Sequence, residues 1–76
     1  MYPFVETIRV EDGVPHNLRY HQLRMADTMR RFFPHTPVPS LASELEARKW
    51  PAGITWKVHV EYDACGITLF KADEYH

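Results

Sequence analysis

A predicted helix carries a stripe of polar side chains that could bind an anion. His21, Arg24 and Thr28 are spaced i, i+3 and i+7, so they lie along one edge of the helix's apolar face. This position keeps Arg24 near the core and away from the solvent-facing charges of the same helix. A partly sheltered guanidinium needs a carboxylate or a phosphate, because an unpaired sheltered charge is costly. The stripe therefore predicts either an ion pair or an anion site.

The first predicted strand offers partners for Arg24. Glu6 could form an ordinary ion pair with it, and Thr7 would add a hydroxyl donor if this part of the strand packs against the helix. From the residue pattern alone, an ion pair between Arg24 and Glu6 or another acid is the favoured interpretation. An anion site that uses Arg24 and Thr7 is the alternative.

Two short motifs, in order, resemble the opening of class IV aminotransferases. The family opening reads roughly F-E-T-I-R, a turn with D-G, and then L-x-x-H-x-x-R-L. This chain has FVETIRV at 4–10, Asp12-Gly13, and LRYHQLRM at 18–25. The family comprises pyridoxal-phosphate enzymes of fold type IV, among them branched-chain and D-amino-acid aminotransferases and 4-amino-4-deoxychorismate lyase. The departures are Val5 in place of the phenylalanine and Met25 in place of the leucine.

The resemblance implies a cofactor site. In the family, the arginine of H-x-x-R binds the cofactor phosphate, and Arg24 occupies that place, with His21 as the histidine of the motif. The F-E-T-I-R strand borders the active site, which makes Thr7 a candidate lining residue. An arginine stays charged near neutral pH and presents a planar fork suited to phosphate. The resemblance therefore implies that Arg24, His21 and Thr7 bind pyridoxal 5'-phosphate.

The lysines of this chain do not match the family's catalytic lysine. Pyridoxal-phosphate chemistry needs a lysine for the Schiff base and an acid at the pyridine nitrogen. In the family both come from a larger carboxy-terminal domain, whereas Lys49, Lys57 and Lys71 lie at a helix end or on polar strand positions. We expect no catalytic residue in residues 1–76, no cofactor held by this chain alone, and a missing carboxy-terminal domain as its partner. The substrate implied is an amino acid with a 2-oxo acid, or aminodeoxychorismate.

Apolar periodicity predicts the elements that would position these residues. Period-two alternation indicates strands, and apolar residues at helical spacing indicate helices. The predicted order is a strand over 2–10, a turn at 11–13, a short strand over 14–16, a helix over 18–33, a shorter helix from 40 to about 48, and a hairpin of strands over 54–62 and 67–71. This is an α+β fold, an antiparallel sheet covered on one face by helices.

Local signals predict the ends and faces of the two helices. Asn17 and Ser40 are expected to cap them, since short polar side chains accept hydrogen bonds from the first turn. In the first helix, Phe32 and Phe33 are both assigned to the apolar face. Pro34 is expected to end that helix.

Length and composition limit the function classes. The length of 76 residues indicates one small domain over residues 1–76. The chain has a net charge of −1 and a single cysteine, Cys65. The near-neutral charge argues against nucleic acid as a partner. No apolar run would span a membrane and no signal peptide is evident, so a cytoplasmic protein is expected. The histidines lack metal-ligand spacing.

The final segment, residues 70–76, shows no taper into a polar tail, which favours a longer parent protein. The surface that would meet the missing domain is exposed in the isolated chain. We therefore expect the chain to self-associate into a homo-oligomer, through a sheet edge or the apolar helix flank. A free-standing interaction domain with no catalytic role is the alternative. Its aromatic residues would then form a protein-binding surface, with Arg24 in an ordinary ion pair.

Overall fold

The computed structural model describes residues 4–75 as a four-stranded antiparallel sheet with two helices. The elements are β1 (Phe4–Glu11), β2 (Val14–Pro15), α1 (Leu18–Phe32), α2 (Leu41–Glu46), β3 (Thr55–Asp63) and β4 (Gly66–Glu74). The predicted α+β class and the predicted element order are confirmed. Tyr2 and Pro3, at the start of the predicted first strand, lie outside the described residues.

The strands are ordered β2-β1-β3-β4, and each neighbouring pair is antiparallel. Alternation along the strands separates two faces. Ile8 of β1 pairs with Val58 of β3, and both are fully buried beneath the helices. Thr7 pairs with His59 on the opposite, open face. The core therefore lies between one face of the sheet and the two helices.

The helices close this core with residues spaced three and four apart. Met25 and Met29 of α1 and Leu41 of α2 are fully buried, and Leu45 is 3% exposed. The Trp50 indole donates from Nε1 to the Leu45 carbonyl oxygen at 2.8 Å and lies edge-on to Trp56. These contacts hold the segment after α2 against the sheet.

Asn17 and Ser40 both lie at the predicted helix starts, but only Ser40 makes the expected cap hydrogen bond. Asn17 takes a left-handed conformation, with φ 55°, and its side chain makes no cap hydrogen bond. A turn after β2 imposes that conformation, which asparagine tolerates better than most residues. Ser40 is extended, and its Oγ accepts a hydrogen bond from the Ser43 amide at 3.2 Å.

The ends of two elements and the environment of one side chain differ clearly from the predictions. The α2 helix ends at Glu46, and β4 continues to Glu74, because it keeps pairing with β3 as far as Trp56. Phe33 continues the Met25–Met29 stripe and is 7% exposed, but Phe32 is 55% exposed. Its ring packs on Phe4, with a centroid distance of 5.1 Å, at the edge of the core.

Candidate functional site

A buried carboxylate lies at the centre of the candidate site. Glu6 shares the inward-facing positions of β1 with Ile8 and Val10, and only 1% of its surface is exposed. Among residues 4–75 it is the one buried charged residue. Burying a carboxylate is unfavourable unless it is paired and hydrogen-bonded. The surroundings of Glu6 must therefore supply donors.

Helix α1 supplies those donors from two positions one turn apart. His21 Nδ1 lies 2.7 Å from Glu6 Oε1, and Arg24 donates from Nε to Glu6 Oε2 at 2.9 Å. A His21 ring with its proton on Nδ1 donates this hydrogen bond to the carboxylate. Each carboxylate oxygen thus receives a short hydrogen bond. The predicted pairing of Arg24 with Glu6 is confirmed as a contact.

Arg24 keeps much of its surface available despite this contact. Its side chain is 54% exposed, against 15% for His21. The guanidinium is always charged, as in other proteins, and the Tyr20 hydroxyl, followed by the Glu6 carboxylate, raises the pKa of Arg24 further above its ordinary value. Its hydrogen bond to Glu6 uses Nε, which leaves the two Nη nitrogens for an anion from outside. A fixed, charged and accessible guanidinium is suited to binding phosphate or carboxylate.

Two hydroxyl groups complete the polar cluster around Glu6. Tyr62 of β3 is 1% exposed, and its burial raises the pKa of its hydroxyl, while a hydrogen bond with Thr28 lowers it. The charge of Glu6 adds a further, smaller rise to the Tyr62 pKa. We call Glu6, His21, Arg24, Thr28 and Tyr62 the Glu6 cluster. It links α1 to β1 and β3 through polar groups.

Thr7 lies away from this cluster. Alternation along β1 turns it to the open face of the sheet, where it is exposed. There it lines a shallow depression of about 350 Å³ with Arg9, Lys57 and Tyr75. The strand that packs against α1 presents Glu6 to Arg24 and turns Thr7 to the opposite side. The structure therefore brings His21 and Arg24 together and separates them from Thr7, whose role in cofactor binding stays a prediction.

Sequence reasoning missed Tyr62 as a member of the cluster and identified Glu6 only as an ion-pair partner. The sequence did carry a signal for Glu6, because residues two apart on a strand face the same side, and Glu6 therefore shares the face of Ile8 and Val10. An acidic residue on the apolar face of a strand indicates a buried carboxylate that is paired with donors. Tyr62 carries no such signal, because a tyrosine on the apolar face of a strand is an ordinary core residue.

Other reactive residues lie outside the cluster. Lys49, Lys57 and Lys71 are all exposed, and the thiol of Cys65 is free and exposed. His59 makes a separate contact on the open face, where its Nε2 lies 2.7 Å from Glu61 Oε2. Within residues 4–75, no group of three or more metal-ligating side chains converges. In the same range, neither helix has the length and apolar character needed to cross a membrane.

Comparison with known proteins shows the fold. No protein-family model matches the chain, and no curated protein is significantly similar to it. Among solved structures, it is similar to that of a putative 4-amino-4-deoxychorismate lyase from Haemophilus somnus 129PT, with a TM-score of 0.78 and 22% sequence identity. The similarity covers 100% of this chain and 41% of the other. The chain therefore has the fold of less than half of that protein.

Proposed function

We propose that this chain is the amino-terminal part of a pyridoxal-phosphate-dependent protein similar to class IV aminotransferases and aminodeoxychorismate lyases. In this proposal Arg24 binds the cofactor phosphate. The observation that carries the proposal is the Arg24 guanidinium, anchored through Nε by buried Glu6 yet 54% exposed. The fold likeness to a putative 4-amino-4-deoxychorismate lyase over the whole chain supports it.

The residues of the Glu6 cluster fit a phosphate group. Glu6 fixes the orientation of the Arg24 fork, and a preoriented bidentate donor is what a phosphate dianion requires. His21 Nδ1 contacts the other carboxylate oxygen of Glu6 at 2.7 Å, so both oxygens of the group that orients Arg24 have a partner. When bound, pyridoxal phosphate supplies an electron sink for amino-acid chemistry. The protein's contribution here is to bind and orient it.

The rest of the site must come from elsewhere in the parent protein. The exposed Lys49, Lys57 and Lys71 are solvated side chains, so a second domain would supply the Schiff-base lysine. We therefore propose that the 76-residue chain alone neither retains the cofactor nor catalyses a reaction. The substrates proposed for the parent are an amino acid with a 2-oxo acid, or aminodeoxychorismate. The proposal also places the parent protein in the cytoplasm as an oligomer.

An ordinary ion pair in a non-catalytic interaction domain would also join Arg24 to Glu6. That alternative needs nothing from the exposed half of the guanidinium. It predicts that shortening Arg24 changes stability only. The cofactor proposal predicts a loss of ligand binding as well, and the two are separated by measuring both quantities on the same variants.

The experiment begins by reading the coding sequence beyond His76 and expressing the complete protein. Pyridoxal phosphate released by alkali is then measured per mole of chain for the wild type, Arg24→Ala, Arg24→Lys and the control Arg31→Ala. Arg31 is an exposed arginine of the same helix. We expect Arg24→Ala to lose most of the cofactor, Arg24→Lys to lose part of it, and Arg31→Ala to retain it. A reading frame that ends at His76, or unchanged occupancy in Arg24→Ala, contradicts the proposal.

A further inference from the structure

Tyr20 lies beside the Glu6 cluster, on the exposed side of α1. It precedes Arg24 by four residues, and residues at this spacing are neighbours on a helix surface. The packing that buries Glu6 does not include Tyr20, because His21 and Arg24 already contact both oxygens of the Glu6 carboxylate. Tyr20 is instead 59% exposed. A large aromatic side chain therefore lies in solvent next to the accessible guanidinium.

The ring of Tyr20 has a fixed neighbour. It packs edge-on against the imidazole of His21, with a centroid distance of 5.7 Å and an interplanar angle of 72°. Edge-to-face contacts between aromatic rings are favourable. His21 is itself anchored, because its Nδ1 lies 2.7 Å from Glu6 Oε1. The buried carboxylate that orients Arg24 through Nε thus also orients Tyr20, through the His21 ring.

The hydroxyl of Tyr20 contacts the Arg24 guanidinium. A hydrogen bond between these two side chains is the largest cause of the raised pKa of Arg24, ahead of the charge of Glu6. A guanidinium only donates hydrogen bonds, so the Tyr20 oxygen accepts in this contact and the hydroxyl keeps its own proton for another acceptor. The exposed side of Arg24 therefore presents N–H donors with one O–H donor beside them.

No acid of α1 lies within one turn of Tyr20. Its neighbours at helical spacing are Asn17, Leu23 and Arg24, which are a neutral amide, an aliphatic side chain and a cation. Asp27, the one acid of α1, lies about two turns farther along the helix. An acceptor that approaches the Tyr20 hydroxyl thus meets the charge of Arg24 and no opposing charge from the same stretch of helix. These surroundings favour an anion.

We propose that Tyr20 is a second ligand of the phosphate group that Arg24 binds, with its hydroxyl donating to a phosphate oxygen that the guanidinium leaves free. The inference rests on the proposed function and extends it to a residue outside the Glu6 cluster. A phosphate carries three acceptor oxygens, whereas a guanidinium fork contacts a pair of them. A preoriented hydroxyl next to the fork satisfies the third oxygen and adds no charge.

Removal of the hydroxyl alone tests this assignment. Tyr20→Phe keeps the ring and its contact with His21, whereas the matched control Ser43→Ala removes an exposed hydroxyl on α2. In the complete protein, stripped of cofactor, the dissociation constants of pyridoxal 5'-phosphate and of unphosphorylated pyridoxal are measured by fluorescence titration. We expect Tyr20→Phe to weaken the binding of pyridoxal 5'-phosphate about tenfold and to leave that of pyridoxal unchanged. Ser43→Ala should keep both constants.

The same change in an Arg24→Ala background distinguishes a direct ligand from a residue that only steadies Arg24. There Tyr20→Phe should still lower the preference for the phosphorylated form, because the hydroxyl donates to the phosphate itself. The absence of any further loss in the double variant would overturn the proposal, and so would a single Tyr20→Phe variant that keeps the wild-type preference. Circular dichroism confirms that each variant is folded.

The result for Tyr20 is separable from the result for the proposed function. If Arg24→Ala reduces the preference for the phosphorylated form and Tyr20→Phe does not, Arg24 binds the phosphate and Tyr20 does not. If neither change reduces it, the proposed function and this inference are both wrong.

Discussion

The two edges of helix α1 are joined to the rest of the molecule by different chemistry. On one edge, His21 and Arg24 donate charge-assisted hydrogen bonds to the buried carboxylate of Glu6. On the other, the neutral amide of Gln22 joins the backbone at Pro39 and Leu41 above an apolar groove. A helix in a small domain can thus present a paired but accessible guanidinium on one side and an apolar groove on the other, while Met25 and Met29 between them form the core.

The largest difference between the edges should appear when each central side chain is removed. Glu6→Ala leaves His21 without its acceptor, so the free energy of unfolding should fall by about 3 kcal/mol. A chain of this size has only about 3–5 kcal/mol in total. Urea unfolding followed by tryptophan fluorescence measures the loss.

The control for this variant is Glu44→Ala, since Glu44 forms an exposed ion pair with Arg48. That change should cost less than about 0.5 kcal/mol. If Glu6→Ala lowers the free energy of unfolding no more than Glu44→Ala does, Glu6 does not stabilise the packing of the His21–Arg24 edge of α1 on the sheet.

On the apolar edge, Gln22→Ala removes two neutral hydrogen bonds and should cost about 1–2 kcal/mol. Arg19→Ala, an exposed neighbour, should leave stability unchanged within about 0.5 kcal/mol. A Gln22→Ala loss equal to that of Glu6→Ala would remove the distinction between the edges.

The starts of the two helices give a smaller effect. Ser40→Ala removes the hydrogen bond from Ser43 to the Ser40 hydroxyl and should cost about 1 kcal/mol. Asn17→Gly should change stability by only a few tenths of a kcal/mol, because no cap bond is lost and glycine accepts the left-handed conformation. Thermal unfolding of both variants measures this. A larger loss in Asn17→Gly would show that Asn17 stabilises the helix start in some other way.

At neutral pH the smallest effect is that of Tyr62, whose contribution depends on pH. Burial raises the pKa of the Tyr62 hydroxyl above the ordinary value of 10.0. The unfolded chain therefore releases this proton at a lower pH than the folded chain does. The contribution of Tyr62 to the free energy of unfolding is fully present below pH 10.0 and is lost as the pH rises through the folded-state pKa. Urea midpoints at pH 8 and at pH 11 measure the loss. Tyr62→Phe should reduce it, and the exposed Tyr75→Phe should not.

Much of the fold could be predicted because alternation and helical spacing follow directly from burial on one face. The hairpin of β3 and β4 and the helix with Met25 and Met29 are examples. Phe32 was assigned to the wrong environment because it lies at the margin of the apolar face, where only the angle of the helix on the sheet decides burial. Asn17 occupies the predicted N-cap position without the expected cap hydrogen bond, because the tight turn before α1, and not the side chain, determines its conformation.

The candidate site was predictable as a set of residues on α1, but its arrangement was not. Spacing alone placed His21 and Arg24 on one edge of the helix. Which β1 residue contacts them depends on which face of the strand packs against α1. The face that packs there is that of Ile8 and Val10, which includes Glu6 and excludes Thr7. The contribution of Tyr62 depends on the pairing of β1 with β3, a contact between segments far apart in the sequence.

The central claim is that Arg24 binds the phosphate of the cofactor, and affinity for the phosphate group itself tests it most directly. In the complete protein, the dissociation constants of pyridoxal 5'-phosphate and of pyridoxal, which lacks the phosphate, are compared for the wild type and Arg24→Ala. The account predicts a strong preference for the phosphorylated form in the wild type, reduced by about 30-fold or more in the variant, since a charged hydrogen bond contributes about 2 kcal/mol or more. A variant that keeps the full wild-type preference would contradict it.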